Sequence, residues 1–125
     1  MDELAATLDL ARRFFDAIEA GDTETAAACY ADDAAIWHNT DGQLQGKAAN
    51  LETLKRFTGA VSDIRYTDRR VASFAGGFVQ QHVLKARRGE REVELAAAIV
   101  CEVRDGRITR LDEYFDSAQL ATWFA

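Results

Sequence analysis

The chain has 125 residues, 48% hydrophobic and 29% charged, with a formal net charge of −6. That balance fits one folded domain spanning residues 1–125 and excludes a disordered segment. An acidic surface argues against nucleic acid as a partner, because phosphate binding needs basic charge, and no apolar run approaches the ~18 residues of a membrane span.

Asp2 and Glu3 open the chain in place of the basic residues and apolar stretch of a signal peptide, so a cytoplasmic location is expected. Leu4, Leu8, Ala11, Phe15 and Ile18 recur at helical spacing, and Gly21 is placed to end that helix. Asp22 suits the cap of a second helix running through Ala28, with Glu24 in its first turn. Cys29 and Cys101 lie in apolar surroundings without metal-ligand spacing and read as buried free thiols in a reducing compartment. Residues 34–39 read as a short strand, followed by a loop containing Gly42 and Gly46 and a helix over 47–57. Four long strands are predicted at 61–74, 78–87, 92–104 and 107–116. Of the turns between them, Asp105-Gly106 is the strongest hairpin signal. Ser117 is placed to cap a last helical turn carrying Leu120, Trp123 and Phe124. Helices first and an antiparallel meander afterwards make an α+β domain whose N-terminal helices cover the apolar face of the sheet.

Strand side chains alternate between faces. On the predicted strand 78–87, Gln80 and His82 share a face with Phe78, Leu84 and Ala86; on the last strand Glu113 shares one with Leu111 and Phe115. Burying polar groups costs free energy unless they are hydrogen-bonded, so an imidazole, an amide and a carboxylate on apolar faces point to a pocket. Glu113 is the candidate general base, His82 the candidate proton donor and Gln80 a positioning group. A core histidine satisfied by one neighbour, Glu113 included, accounts for His82 equally well. Over 34–39, alternation turns inward either Ile36 with His38 or Trp37 with Asn39; Ala34 and Ile36 extend an apolar face and favour His38.

Elsewhere the expectations are plainer. Tyr66 fits either the pocket or the surface. Asp32 and Asp33 read as turn residues, and Arg69-Arg70 and Arg87-Arg88 as solvated charge. Ala96, Ala98 and Val100, with Val79 and Val83, form an apolar strip on the opposite sheet face, the kind of surface through which a homodimer forms. The two histidines lie on different strands with no third ligand, so neither a metal nor another cofactor is expected.

Tyr30-Ala31-Asp32-Asp33-Ala34-Ala35-Ile36-Trp37-His38-Asn39, within this layout, resembles the nuclear transport factor 2-like superfamily, and in it the SnoaL-like branch. That branch has polyketide cyclases, ketosteroid isomerases and limonene-epoxide hydrolases among its relatives. The ending Asp105-Gly106-Arg107-Ile108-Thr109-Arg110-Leu111-Asp112-Glu113-Tyr114-Phe115-Asp116 is similar to the branch's final hairpin. The resemblance implies a cone-shaped α+β barrel, a curved mixed or antiparallel sheet wrapped around N-terminal helices. It speaks to fold more than to chemistry, since this scaffold hosts many functions. In the isomerase pattern the base falls on His38, the oxyanion-hole tyrosine on Phe14 and its acidic partner on Ile99. Neither Phe14 nor Ile99 can donate a hydrogen bond, which argues against ketosteroid isomerisation. In the epoxide-hydrolase pattern the water-holding residues fall on Trp37, Asn39 and Glu113, and the arginine–aspartate pair on Gln80 and His82, so half of that site is kept. The cyclase pattern of a late acid with a nearby histidine or asparagine is approximated by Glu113, His82 and Asn39. The implied activity is a cofactor-independent isomerase, cyclase or hydrolase acting by acid–base chemistry on a hydrophobic small molecule. Phe14, Phe57, Leu84, Ile99 and Phe115 would form the apolar walls. The same pocket would equally serve a non-catalytic binding module or a dimerisation domain.

Overall fold

A computed structural model describes residues 2–124. Helix α1 (Glu3–Glu19) starts where the Asp2 carboxylate accepts the Ala5 N–H at 2.7 Å. It buries Leu10, Ala11, Phe14, Phe15, Ala17 and Ile18 on one face. Its end is a glycine cap: Gly21 sits at φ 71°, the Gly21 N–H donates to Ile18 O, and the Asp22 N–H to Ala17 O. Helix α2 (Thr23–Ala28) is capped by Asp22, as its sequence indicates. Strand β1 (Tyr30–His38) and the short strand β2 (Leu44–Gly46) lead into helix α3 (Lys47–Ala60). Strands β3 (Ser62–Phe74), β4 (Gly77–Arg88), β5 (Arg91–Arg104) and β6 (Arg107–Phe115) form the meander, and α4 (Ser117–Thr122) ends the described chain.

The six strands make one open sheet in the order β2-β1-β6-β5-β4-β3. The four long strands pair antiparallel, but β1 runs parallel to β6, so the sheet is mixed. This is the cone-shaped α+β arrangement, with α1 packed across the sheet. Three local readings are corrected. Asp32 and Asp33 lie inside β1, where the register against β6 shifts between Tyr30 and Ala35 and forms a bulge, rather than in a turn before it. The loop around Gly42 includes β2, which adds an antiparallel edge opposite Ala35, Ile36 and Trp37. Asp116, not Ser117, caps α4, its carboxylate accepting the Ala118 N–H at 2.8 Å.

The arginine pairs are less solvated than expected. Arg69 bridges Asp16 and Glu19 of α1 at 2.8 and 3.0 Å, and Arg88 donates to the Trp123 carbonyl at 2.9 Å. Both tie helices to the sheet. Cys29 and Cys101 are buried free thiols. No helix among the described residues is long and apolar enough to cross a membrane.

Candidate active site

The core is divided. One cluster gathers α1 with Tyr30, Ile36, Phe78, Ile99 and Leu111; the other joins Val61, Leu84, Leu95 and Trp123; Phe57 and Tyr66 pack against both. A cavity of about 360 Å³ takes its walls from both clusters. The apolar wall residues expected from sequence, Phe14, Phe57, Leu84, Ile99 and Phe115, all line it.

The parallel pairing of β1 with β6 decides which polar groups reach this space. It sets Ile36 beside Leu111 and His38 beside Glu113, so alternation turns His38 and Glu113 inward with the apolar pair. His38 Nε2 lies 3.1 Å from Glu113 Oε1, with both side chains only partly exposed. The hydrogen bond that the His38 ring donates to Glu113 raises the His38 pKa above its usual value; burial opposes this, and the charges of Glu113 and Asp41 add to it. The neighbouring Glu113 thus stabilises the imidazolium form of His38, and the pair can hold and pass one proton.

The alternative orientation, with Trp37 and Asn39 inward, is not the one adopted. Trp37 packs edge-on to Tyr114 at 5.3 Å, and neither lines the cavity. Asn39 is exposed just beyond β1; its amide bonds the backbone N–H and carbonyl of Phe115 at 3.0 and 3.1 Å. It extends the β1–β6 pairing by one side-chain rung and so steadies the strand that carries Glu113.

His82 and Gln80 also sit elsewhere than the sequence reading placed them. They are 3% and 2% exposed, yet neither lines the cavity. Gln80 Nε2 meets His82 Nδ1 at 2.9 Å. With the amide donating, the ring proton resides on Nε2, the one buried side-chain polar atom without a partner among the described residues. The rings of Tyr66 and Phe15 lie against His82 at 4.8 and 5.2 Å and belong to the cavity wall in its place. Burial pushes the His82 pKa down to about 4, so the ring is neutral at physiological pH. The histidine that meets Glu113 is His38.

A polar rail on the α3 side was not foreseen. The Tyr30 hydroxyl donates to Asn50 Oδ1 at 2.8 Å, Asn50 Nδ2 to Gln45 Oε1 at 3.1 Å, and Gln45 Nε2 to Thr53 Oγ1 at 2.9 Å. All four residues line the cavity. The usable signal was the spacing of Asn50, Leu54 and Phe57, which puts an amide on the apolar stripe of a helix; Asn50 is the one buried residue of α3. Among the described residues no group of three or more His, Cys, Asp or Glu is arranged to hold a metal ion.

Comparison with known proteins gives a consistent picture. Residues 11–111 match the SnoaL-like domain family. A candidate polyketide cyclase from Xanthomonas campestris pv. campestris superposes with a TM-score of 0.88 at 20% identity, covering 99% of this chain and 100% of that one. A candidate isomerase from Bacillus subtilis gives 0.86 at 19% identity, with 99% and 96% covered. An LEH-like epoxide hydrolase from M. tuberculosis gives 0.81 at 22% identity, with 97% and 90% covered. At these identities the likeness establishes the fold alone. None of the curated proteins matches this chain.

Proposed function

Because this chain belongs to the SnoaL-like domain family, we propose that its cavity binds a largely apolar small molecule and that His38 and Glu113 act on it as a cofactor-independent acid–base pair. The observation that carries this reading is the 3.1 Å contact between the two side chains on the wall of a mainly apolar cavity. A mainly apolar wall with a few convergent polar groups is the usual form of a small-molecule site. Glu113 takes a proton from the ligand or from a water beside it; His38 holds the carboxylate in place and returns the proton. Isomerisation, cyclisation and hydrolysis are the reactions such a pair serves. The ketosteroid isomerase pattern stays disfavoured, since Phe14 and Ile99 face the cavity without a donor.

Glu113→Gln preserves the shape and removes the base. Across a panel of lactones, epoxides and polycyclic ketones, turnover is expected to fall by about 10²–10⁴-fold while ligand affinity, read by calorimetry, is kept. Binding without turnover by the native protein would favour a non-catalytic binding module. No binding at all would overturn the reading.

For the outer sheet face we propose a second copy of the chain as partner. Val79 and Val100 are each 39% exposed there and Tyr114 is 45% exposed, an apolar strip that a homodimer would cover.

A further inference from the structure

Tyr66 is built into the cavity with unusual care. It occupies a short regular stretch of β3, Arg65 to Thr67, between two register shifts against β4. Each shift contains an aspartate in the left-handed region, Asp63 at φ 54° and Asp68 at φ 55°. Non-glycine residues adopt that conformation at a cost, and bulges of this kind re-aim a side chain. The Tyr66 backbone is held on both sides: its N–H donates to Glu19 Oε1 at 2.7 Å, and its carbonyl accepts from Arg69 Nε at 3.1 Å. Its ring is wedged edge-on against Phe15 at 4.9 Å and His82 at 4.8 Å.

All this rigidity serves a hydroxyl that bonds nothing. Among the described residues the Tyr66 O–H has no hydrogen-bond partner. It is not sealed in the core either, because the one fully buried side-chain atom left unpaired is His82 Nε2. The ring lines the same cavity as Glu113. The other two tyrosines do not offer a free donor there. Tyr30 gives its proton to Asn50, and Tyr114 stands outside. Burial raises the Tyr66 pKa, so the phenol keeps its proton.

We infer that Tyr66 is the hydrogen-bond donor for an oxygen of the ligand, and that it directs the cavity toward apolar molecules that carry an accepting oxygen, as in a ketone or an ester. The rings of Phe15 and His82 around Tyr66 supply no acceptor to compete for its proton when His82 is protonated on Nε2. With its oxygen anchored at Tyr66, the carbon framework lies in the space shared with Glu113. The inference rests on the proposed ligand-binding role of the cavity and adds the chemical class of the ligand.

The probes are 1-tetralone and tetralin, one bicyclic body with and without a carbonyl. Calorimetry on the native protein is expected to show tetralone bound about tenfold more tightly, the difference one neutral hydrogen bond makes. The infrared carbonyl stretch of bound tetralone is expected below its position in hexane. In Tyr66→Phe the preference disappears and the stretch moves back up, while both persist in Glu113→Gln. If neither probe binds, the cavity reading and this inference fall together. If both bind and Tyr66→Phe leaves preference and stretch unchanged, Tyr66 is not the donor and the cavity reading stands. Should Tyr66→Phe not fold, the native spectrum decides: a bound stretch at its hexane position overturns the assignment and a lowered one supports it.

Discussion

The two histidines face opposite electrostatic surroundings, and their pH behaviour separates them. His82 has its folded pKa depressed from 6.5 to about 4 by burial. Between those values the unfolded chain binds the extra proton, so stability is fully present above pH 6.5 and drains away as pH falls toward 4. The loss is on the order of 3–4 kcal/mol, from about 1.4 kcal/mol per pKa unit. His38 has its folded pKa raised by Glu113. Its contribution is present below 6.5 and lost as pH climbs through the raised value. The windows do not overlap. Urea unfolding of His82→Leu across pH 4–7 is therefore expected to lose most of the acid-side slope. A slope equal to that of the native protein would show that His82 is not the group being titrated.

At the level of elements, the bulges matter more than the strand lengths. The shift in β1 reconciles two adjacent aspartates with a strand: Asp32 and Asp33 stay exposed, where they meet Lys47 at 3.5 Å and Arg104 at 3.0 Å. The β3–β4 hairpin depends on a different device. A Cβ on Gly77 would lie 2.0 Å from the Cys101 carbonyl oxygen and 2.8 Å from the Phe74 ring. The oxygen belongs to the backbone of β5 and cannot step aside without disturbing the ladder. Gly77→Ala is expected to cost about 1–3 kcal/mol in chemical denaturation, despite being the smallest possible enlargement. A stability change under half of that range would mean the hairpin relaxes where it is drawn tight.

Across the whole molecule, one sheet serves two surfaces. Its concave side, with α1 and α3, encloses the cavity; its outer side leaves Val79, Val100 and Tyr114 uncovered in a single chain. If a second copy covers that face, the protein sediments at twice the 13.8 kDa of one chain. Val100→Arg then gives a monomer with unchanged circular dichroism, because the substituted side chain points away from the core. A native protein that stays monomeric at tens of micromolar would remove the homodimer.

Local sequence signals were enough to determine the order of the elements other than β2, the four long strands, the caps at Gly21 and Asp22 and the apolar walls of the cavity, because these depend on neighbours a few residues apart. The inward turn of Glu113 was also legible, since it shares parity with Leu111 and Phe115. Tertiary structure decided which histidine meets it. His38 and His82 both lie on inward faces, and only the parallel docking of β1 on β6 brings one of them to 3.1 Å from Glu113. The roles of Asn50 and Tyr66 were settled the same way. A partner twenty residues away, or a bulge that re-aims a ring, leaves no periodic trace, because alternation records which face a residue takes and not what stands across from it.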